Sequence, residues 1–500
     1  KEGSPEDPMR DIQDGIDAAS EGDTVFVLPG TYSQNDDRNL EFKNHNDDSP
    51  KPVVLMSRGG PDSTIIDCEE SETAFDISSG TDTTLQIIGF KIVNGWAQEP
   101  ENENGAAINI EGYHHGGQAP TRSGAVFKNC IIENSDGYGP AIRIRGGVGI
   151  FRDCVIRNNR TELWSTASDI YGGAFQVTSQ NFGFEAGFNI GGLILDRSKV
   201  LSNYLDVDEN GPGCRGAGVY VGEAWAIISN SLIADNYFLG NASNNSIGTG
   251  IYVNNGSIAL INSTVSGNEN FAGNYGSGLF VHNNWDSFDE FSRDVIILNS
   301  IIADNIPSAN QIHFPTDDYT EYTAMSNSIF ENGSGESWFD AGDGHYDFDP
   351  LFADTNYVLS EYSHAIGLGA TSIEGSDGND ILAPSVDILG NPRPNPTVSN
   401  PDLGSYEHEL ASFRRVVYYV DGANGNDNND GLSTAAAVKT ITEGLSKSAN
   451  RDTLELAAGT YSGADNRNLN MAGLTRIIRT ASGPDSTIIN CENQGPAFVF

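Results

Sequence analysis

Apolar and polar positions alternate with period two through most of this chain, in runs of three to five residues separated by Gly, Asn, Asp and Ser. Alternation in runs this short predicts strands rather than helices. Between Gly216 and Asn305 one sentence is written three times: GAGVYVGEAWAIISNSLIADN, GTGIYVNNGSIALINSTVSGN and GSGLFVHNN…RDVIILNSIIADN. Each copy opens Gly-x-Gly, alternates, and then gives an apolar run, Asn-Ser, an aliphatic pair and a closing Asn. Recurrence at about 30 residues with turn residues between the runs predicts a solenoid. The expected fold is all-β, a right-handed single-stranded parallel β-helix.

Stacking the layers gives columns. Ile108, Ile142, Phe175, Val219, Ile251 and Leu279 follow a glycine at fixed distance and are expected to point inward. After a bend come Cys130, Cys154, Ser198, Ser231, Ser263, Ser300 and Ser328, with apolar residues three positions before and two after each. The residue before this Ser or Cys is Asn at 129, 230, 262, 299 and 327. Asn tolerates left-handed backbone and carries an amide able to bond the next layer, so an asparagine ladder is expected at this bend. Cys130 and Cys154 should stack on adjacent layers, either as a disulfide or as two buried thiols. Residues 9–20 predict a short amphipathic helix that caps the open end of the stack.

The chain also repeats on a larger scale. IQDGIDAASEGDTVFVLPGTY at 12–32 returns 429 residues later as ITEGLSKSANRDTLELAAGTY, and GPDSTIIDC at 60–68 returns as GPDSTIINC at 483–491. The expected organisation is a β-helix module over 1–408, with coils at about 24–335 and an irregular end region at about 338–408. A linker at 409–415 and the start of a second module at 416–500 follow. This reads as a segment of a longer tandem protein. The series Asp349–Phe352, Tyr357–Leu359, Ser363–Gly367, Asp387–Pro394 and Asp402–Glu407 resembles the end region of bacterial secreted β-helix proteins of the choice-of-anchor Q type. The run through Gly30-Thr31-Tyr32 and the lead-in VVYYVDGANGNDNNDG at 416–431 resemble the start of the same proteins and of the pectate-lyase-like superfamily. That resemblance implies a β-helix exported from the cell.

A formal net charge of −42 argues against nucleic acid as a partner, since a phosphate backbone requires the opposite sign. It suits a surface that stays soluble, binds divalent cations or meets cationic partners. Five cysteines do not make a disulfide scaffold in 500 residues. No run approaches the roughly 20 apolar residues of a membrane-spanning helix.

Three constellations are candidates for chemistry. The basic cluster around Arg143 and Arg152, with Asp153 nearby, is the place a polysaccharide lyase would carry its base and its neutralising cation; the alternative is a set of arginines offsetting an acidic surface. Tyr220, Tyr252 and Phe280 occupy one outward column, continuing Asn109, Arg143 and Gln176. They form either a stacked platform for a glycan or partner chain, or a stripe covered by loops such as 237–247 and 282–294. Asp421, Asn424, Asn426, Asp427 and Asp430 suit Ca²⁺, or else an Asx-turn loop; Ala437 stands where a calcium-binding EF-hand loop closes with Glu. The histidines, among them His114, His115 and His282, show no metal spacing. The leading expectation is therefore an extracellular structural protein, a surface filament, stalk or adhesin that self-associates. The alternative is a lyase or binding protein acting on acidic polysaccharides.

Overall fold

Strands form where the alternation places them, and each turn of chain adds one strand to each of three parallel sheets. The structure, a computed structural model, describes residues 3–4, 6–97, 104–112, 122–162, 170–181, 188–206, 213–239, 246–270, 277–283, 293–308, 311–314, 322–334, 336, 338–339, 341–448, 452–471 and 476–499. The chain divides into two units, Lys1–Leu359 with His364–Ser412, and Ser360–Ser363 with Phe413–Phe500. In the first, a ten-stranded sheet runs from Thr24–Val27 to Tyr322–Ser326 and an eleven-stranded sheet from Gly30–Tyr32 to His345–Tyr346. A nine-stranded sheet runs from Leu40–Glu41 to Ile312–His313. This is a right-handed parallel β-helix.

The inward column holds as expected: Ile108, Ile142, Phe175, Val219, Ile251 and Leu279 are in mutual register and fully buried. Because layers repeat at strand spacing, like side chains stack. Phe127 lies on Phe151 with ring centroids 4.8 Å apart and planes 4° apart. Each fully buried aliphatic or phenyl side chain contributes about 1.5–3 kcal/mol, so the narrow core is stabilised layer by layer. Helix α1 (Ile12–Ala18) buries Ile12 and Ile16 against this core, and the Asp37 carboxylate accepts from the Ile12 amide at 2.9 Å.

The bend works differently from the expectation. Asn129, Asn230, Asn262, Asn299 and Asn327 do adopt left-handed backbone, with φ between 45° and 51°. The continuous amide ladder is instead formed by the asparagines that close each layer. Asn159, Asn203, Asn236, Asn268 and Asn305, ending on Gln311, donate Nδ2 to the next side-chain oxygen at 2.6–3.0 Å. The same Nδ2 groups also donate to core carbonyls of Ile132, Ile156, Val200, Ile233 and Val265. The closing position lies inside the turn, where a carbonyl needs a donor; the bend position is chosen for its backbone conformation. A hydroxyl ladder accompanies it: amides of Cys154, Ser198, Ser231, Ser263 and Ser300 donate to the next serine Oγ at 3.0–3.2 Å. Cys130 and Cys154 are free, buried thiols, so the disulfide alternative falls.

The bend asparagines have another task. Asn327, Asn299 and Asn262 donate to the carbonyls of Leu368, Ala370 and Asp402, so the irregular end region returns along the bend. Its motif residues at 387–407 close into a buried ionic clasp. Arg393 Nε lies 3.3 Å from the Glu407 carboxylate, both side chains wholly shielded, and its terminal nitrogens donate to the carbonyls of Asp402, Gly404 and Ser405. Asp402 accepts from the amides of Gly367 and His408, and Asp387 from those of Leu389, Asn391 and Glu407.

Burial, and then the neighbouring Glu407 charge, push the Asp402 carboxyl up to about 7. Unfolded aspartate titrates near about 4, so this contribution to stability is fully present below about pH 4 and is lost as pH rises through about 7. Asp402→Asn is expected to flatten the fall in stability across that window. Denaturant titrations read by tryptophan fluorescence at several pH values check this. All five tryptophans precede residue 340, so they report on the first unit.

In the second unit the strands Val417–Val420, Thr453–Leu456 and Ile477–Thr480 form a parallel sheet, and helix α2 (Ile441–Lys447) caps a core of its own around Val420, Leu454, Leu456 and Tyr461.

Candidate functional site: the outer face of the nine-stranded sheet

The alternation that sends Ile142 and Ile144 inward sends Arg143 outward, and register carries that position from layer to layer. The row reads Asp76, Asn109, Arg143 and Gln176, then Tyr220, Tyr252, Phe280 and His313. Parallel spacing stacks the rings: Tyr220 on Tyr252 at 5.7 Å and Tyr252 on Phe280 at 5.4 Å, with planes 7° and 14° apart. His313 extends the stack, its centroid 4.6 Å from Phe280.

This row is covered. Arg143 is 3% exposed, and Tyr220, Tyr252 and Phe280 are 6%, 3% and 7% exposed. The cover comes from the residue just before the column of glycines. Gly172, Gly216 and Gly248 are left-handed, with φ of 73°, 65° and 64°. A Cβ on Gly216 would stand 2.5 Å from the Val219 carbonyl oxygen. This tight reversal folds Tyr171, Arg215 and Ile247, themselves paired across layers, over the outer face. Tyr171 meets Tyr220 at 4.6 Å, tilted by 47°, and the Arg215 guanidinium lies 5.2 Å from the Tyr252 centroid. Gly222 leaves room for the Tyr220 hydroxyl, since a Cβ there would sit 2.7 Å from it. Loops 237–247 and 282–294, expected as the cover, lie partly outside the described residues.

A half-exposed rim therefore surrounds buried rings: Arg145, Tyr171, Arg215, Asn254, His282 and His313. Arg145 is held 3.6 Å from Glu111, which also accepts from Gln180. Burial, then Arg215, lowers the His282 pKa; burial lowers that of His313, with Glu336 opposing. Both shifts favour the neutral imidazole. Burial, then Tyr171, pushes the Tyr220 hydroxyl up, which favours its protonated form.

The expected lyase trio is not assembled. Arg143 lies buried on the nine-stranded sheet, whereas Arg152 stands exposed on the ten-stranded sheet beside Lys128 and Asp196. Asp153, in left-handed backbone, is engaged by Arg197 at 2.8 and 3.1 Å. The 421–430 loop spends its side-chain oxygens locally. Asp421 accepts from the amides of Ala423 and Asn424 and from the Asn424 side chain, Asn426 from Asn428, and Asp430 from Leu432. Asp427 accepts from Lys439 and Thr440 at the start of α2. Among the described residues no group of three His, Cys, Asp or Glu is placed to hold a metal ion. His114 and His115 lie outside the described residues. Tyr171, Arg215 and His313 were not anticipated. Their signal was available one position before the glycine column and one layer beyond Phe280.

No family model matches the chain, and no curated protein matches it. Solved structures do. The PL6 family alginate lyase AlyGC is 14% identical over 96% of this chain and 67% of its own, with a TM-score of 0.29. Pectate lyase Pel9A is 14% identical over 81% and 92%, with a TM-score of 0.33. XylC in complex with xylose is 10% identical over 81% and 96%, with a TM-score of 0.35. At such identities and scores the likeness bears on neither activity nor substrate.

Proposed function

We propose that the first unit is an extracellular β-helix that binds an acidic polysaccharide on the rim over the stacked rings. The observation that carries this reading is Arg215, a half-exposed guanidinium seated against a ring stack within a chain of net charge −42. A cation set locally on an aromatic surface meets both needs of a uronate, a counter-charge for its carboxylate and an apolar face for its ring. Arg145 adds a second cation along the sheet, and Asn254 and the neutral histidines add hydrogen-bonding groups. His282, on the rim beside Arg215 with its neutral form favoured by burial, is the group assigned to take a proton from a bound sugar. Incubation with alginate and polygalacturonate, followed by ultraviolet absorbance of unsaturated products, separates cleavage from binding alone. With cleavage, His282→Gln is expected to lower the rate at least about 100-fold while leaving polysaccharide retention intact.

A second reading, a secreted surface stalk built from tandem modules, is favoured by the repeat at 429 residues and by the ladders that make length stable. The resemblance to exported proteins with an anchor-type end region supports it. Both roles are compatible in one chain.

A further inference from the structure

Among the described residues the two units share one construction, to which the second shows a further strand added. In the first, the Asp7 amide donates to the carbonyl and hydroxyl of Ser4, both at 3.1 Å; 429 residues on, the Ala436 amide does the same to Ser433 at the same distances. The Ile12 amide is capped by Asp37 and the Ile441 amide by Asn466, each at 2.9 Å. The Tyr32 hydroxyl lies 2.9 Å from the Leu28 carbonyl, as that of Tyr461 does from Ala457.

In the second unit the strand Val417–Val420 is seated between two walls. On one side it pairs with Thr453–Leu456: Thr453 donates to Val416 and Ala457 to Val420. On the other, Val438 donates to Tyr419 and accepts from Asp421. The Tyr461 hydroxyl adds a 2.9 Å contact to the Val420 carbonyl. The counterparts of these walls in the first unit are Thr24–Val27 with Leu28, and Met9. Between them lies a groove of ≈ 680 Å³ lined by Pro8, Met9, Val25, Phe26, Leu28 and Tyr32. Among the described residues Thr24–Val27 is the terminal strand of the ten-stranded sheet, an edge of the kind to which a strand can be added. Phe26 and Leu28, 49% and 46% exposed, stand where the second unit has Glu455 and Ala457.

We infer that this groove receives, in parallel register, an extended segment of the Val416–Asp421 pattern, with alternating Val and Tyr followed by Asp. The main chain of Thr24, Phe26 and Leu28 supplies the ladder, Met9 closes the opposite side, and the Tyr32 hydroxyl contacts the incoming carbonyl as Tyr461 contacts Val420. This is strand addition to a sheet edge, with main-chain bonds giving affinity and the apolar walls giving register.

The test is a fluorescent peptide of residues 416–431 titrated into the full chain and followed by anisotropy. Saturable binding at one peptide per chain is expected, absent for a peptide with prolines at the positions of Tyr418 and Val420. Phe26→Pro removes one edge donor while leaving the amides of Val25 and Val27 for the neighbouring strand, and Met9→Arg places a charge in the groove. Each variant is expected to weaken binding at least 10-fold with unchanged far-ultraviolet circular dichroism. The pair guards against misfolding of either one. Absence of saturable binding up to millimolar peptide, or binding unaffected by both folded variants, overturns the inference. So does chain dimerisation that the peptide fails to displace, since the edge would then be covered by a second copy.

Discussion

Arg393→Met is expected to destabilise the first unit by about 3–5 kcal/mol, the usual result of removing one partner from a buried charge cluster. Methionine fills the space but leaves the Glu407 carboxylate without its cation, and the carbonyls of Asp402, Gly404 and Ser405 without donors. Arg393→Lys keeps the charge but cannot reach three carbonyls from one nitrogen, so it should recover only part of the loss. The double variant Arg393→Met with Glu407→Gln should be less destabilised than the two single losses added together, because no uncompensated charge remains at that pair. Denaturant midpoints from tryptophan fluorescence give all four values.

Asn236→Ala should cost a comparable amount, about 3–4 kcal/mol, from the middle of the ladder. Asn236 Oδ1 accepts from both the backbone and the side chain of Asn203, and its Nδ2 donates to Val200 and to Asn268. Alanine takes away both donor and acceptor where no water enters, and each buried group left unsatisfied costs about 1–3 kcal/mol. Asn230→Ala removes no ladder bond, but it places alanine at φ 47°, so its cost should be nearer about 1 kcal/mol. A reversal of that order, with the bend asparagine the more costly, would restore the ladder to the position first expected for it.

The difference between those two columns shows where sequence reading succeeds and where it stops. Period two, the glycine column and the Ser column were visible because each is a single residue type recurring at one place in every layer. From these the parallel β-helix and its inward side chains follow directly. Asn was present in two columns, at the bend and at the layer's close, and spacing alone does not say which one turns its amide toward the next layer. Local geometry decides: φ near 47° at Asn230, and a carbonyl of Val200 awaiting a donor above Asn236.

The candidate site was legible in the same partial way. Tyr220, Tyr252 and Phe280 repeat in register and were found in the sequence, and a loop cover was one of two readings, with Ile247 inside the 237–247 loop named for it; the rest of the cover was not found. It depends on the left-handed reversal at Gly172, Gly216 and Gly248, which sends the preceding residue back across the sheet. Arg215 is one residue before such a glycine, yet in the linear sequence it belongs to a different strand from the rings it covers. Arg143 illustrates the opposite error. It does point away from the core, yet it is 3% exposed, so pointing outward from a coil is not by itself exposure. The motif at Asp387–Glu407 proves to be an ionic clasp rather than a site open to ligand.

On the reading proposed above, the rim around Arg215 holds an acidic glycan. Affinity electrophoresis through gels containing alginate or polygalacturonate tests it most directly, with the parent chain beside Arg215→Ala and the exposed Arg152→Ala as a control of equal charge change. One of these polymers should retard the parent chain and the Arg152 variant alike, with retardation falling as salt rises, and the Arg215 variant should migrate as it does in an empty gel. Equal retardation of all three proteins, or retardation of none, would contradict it.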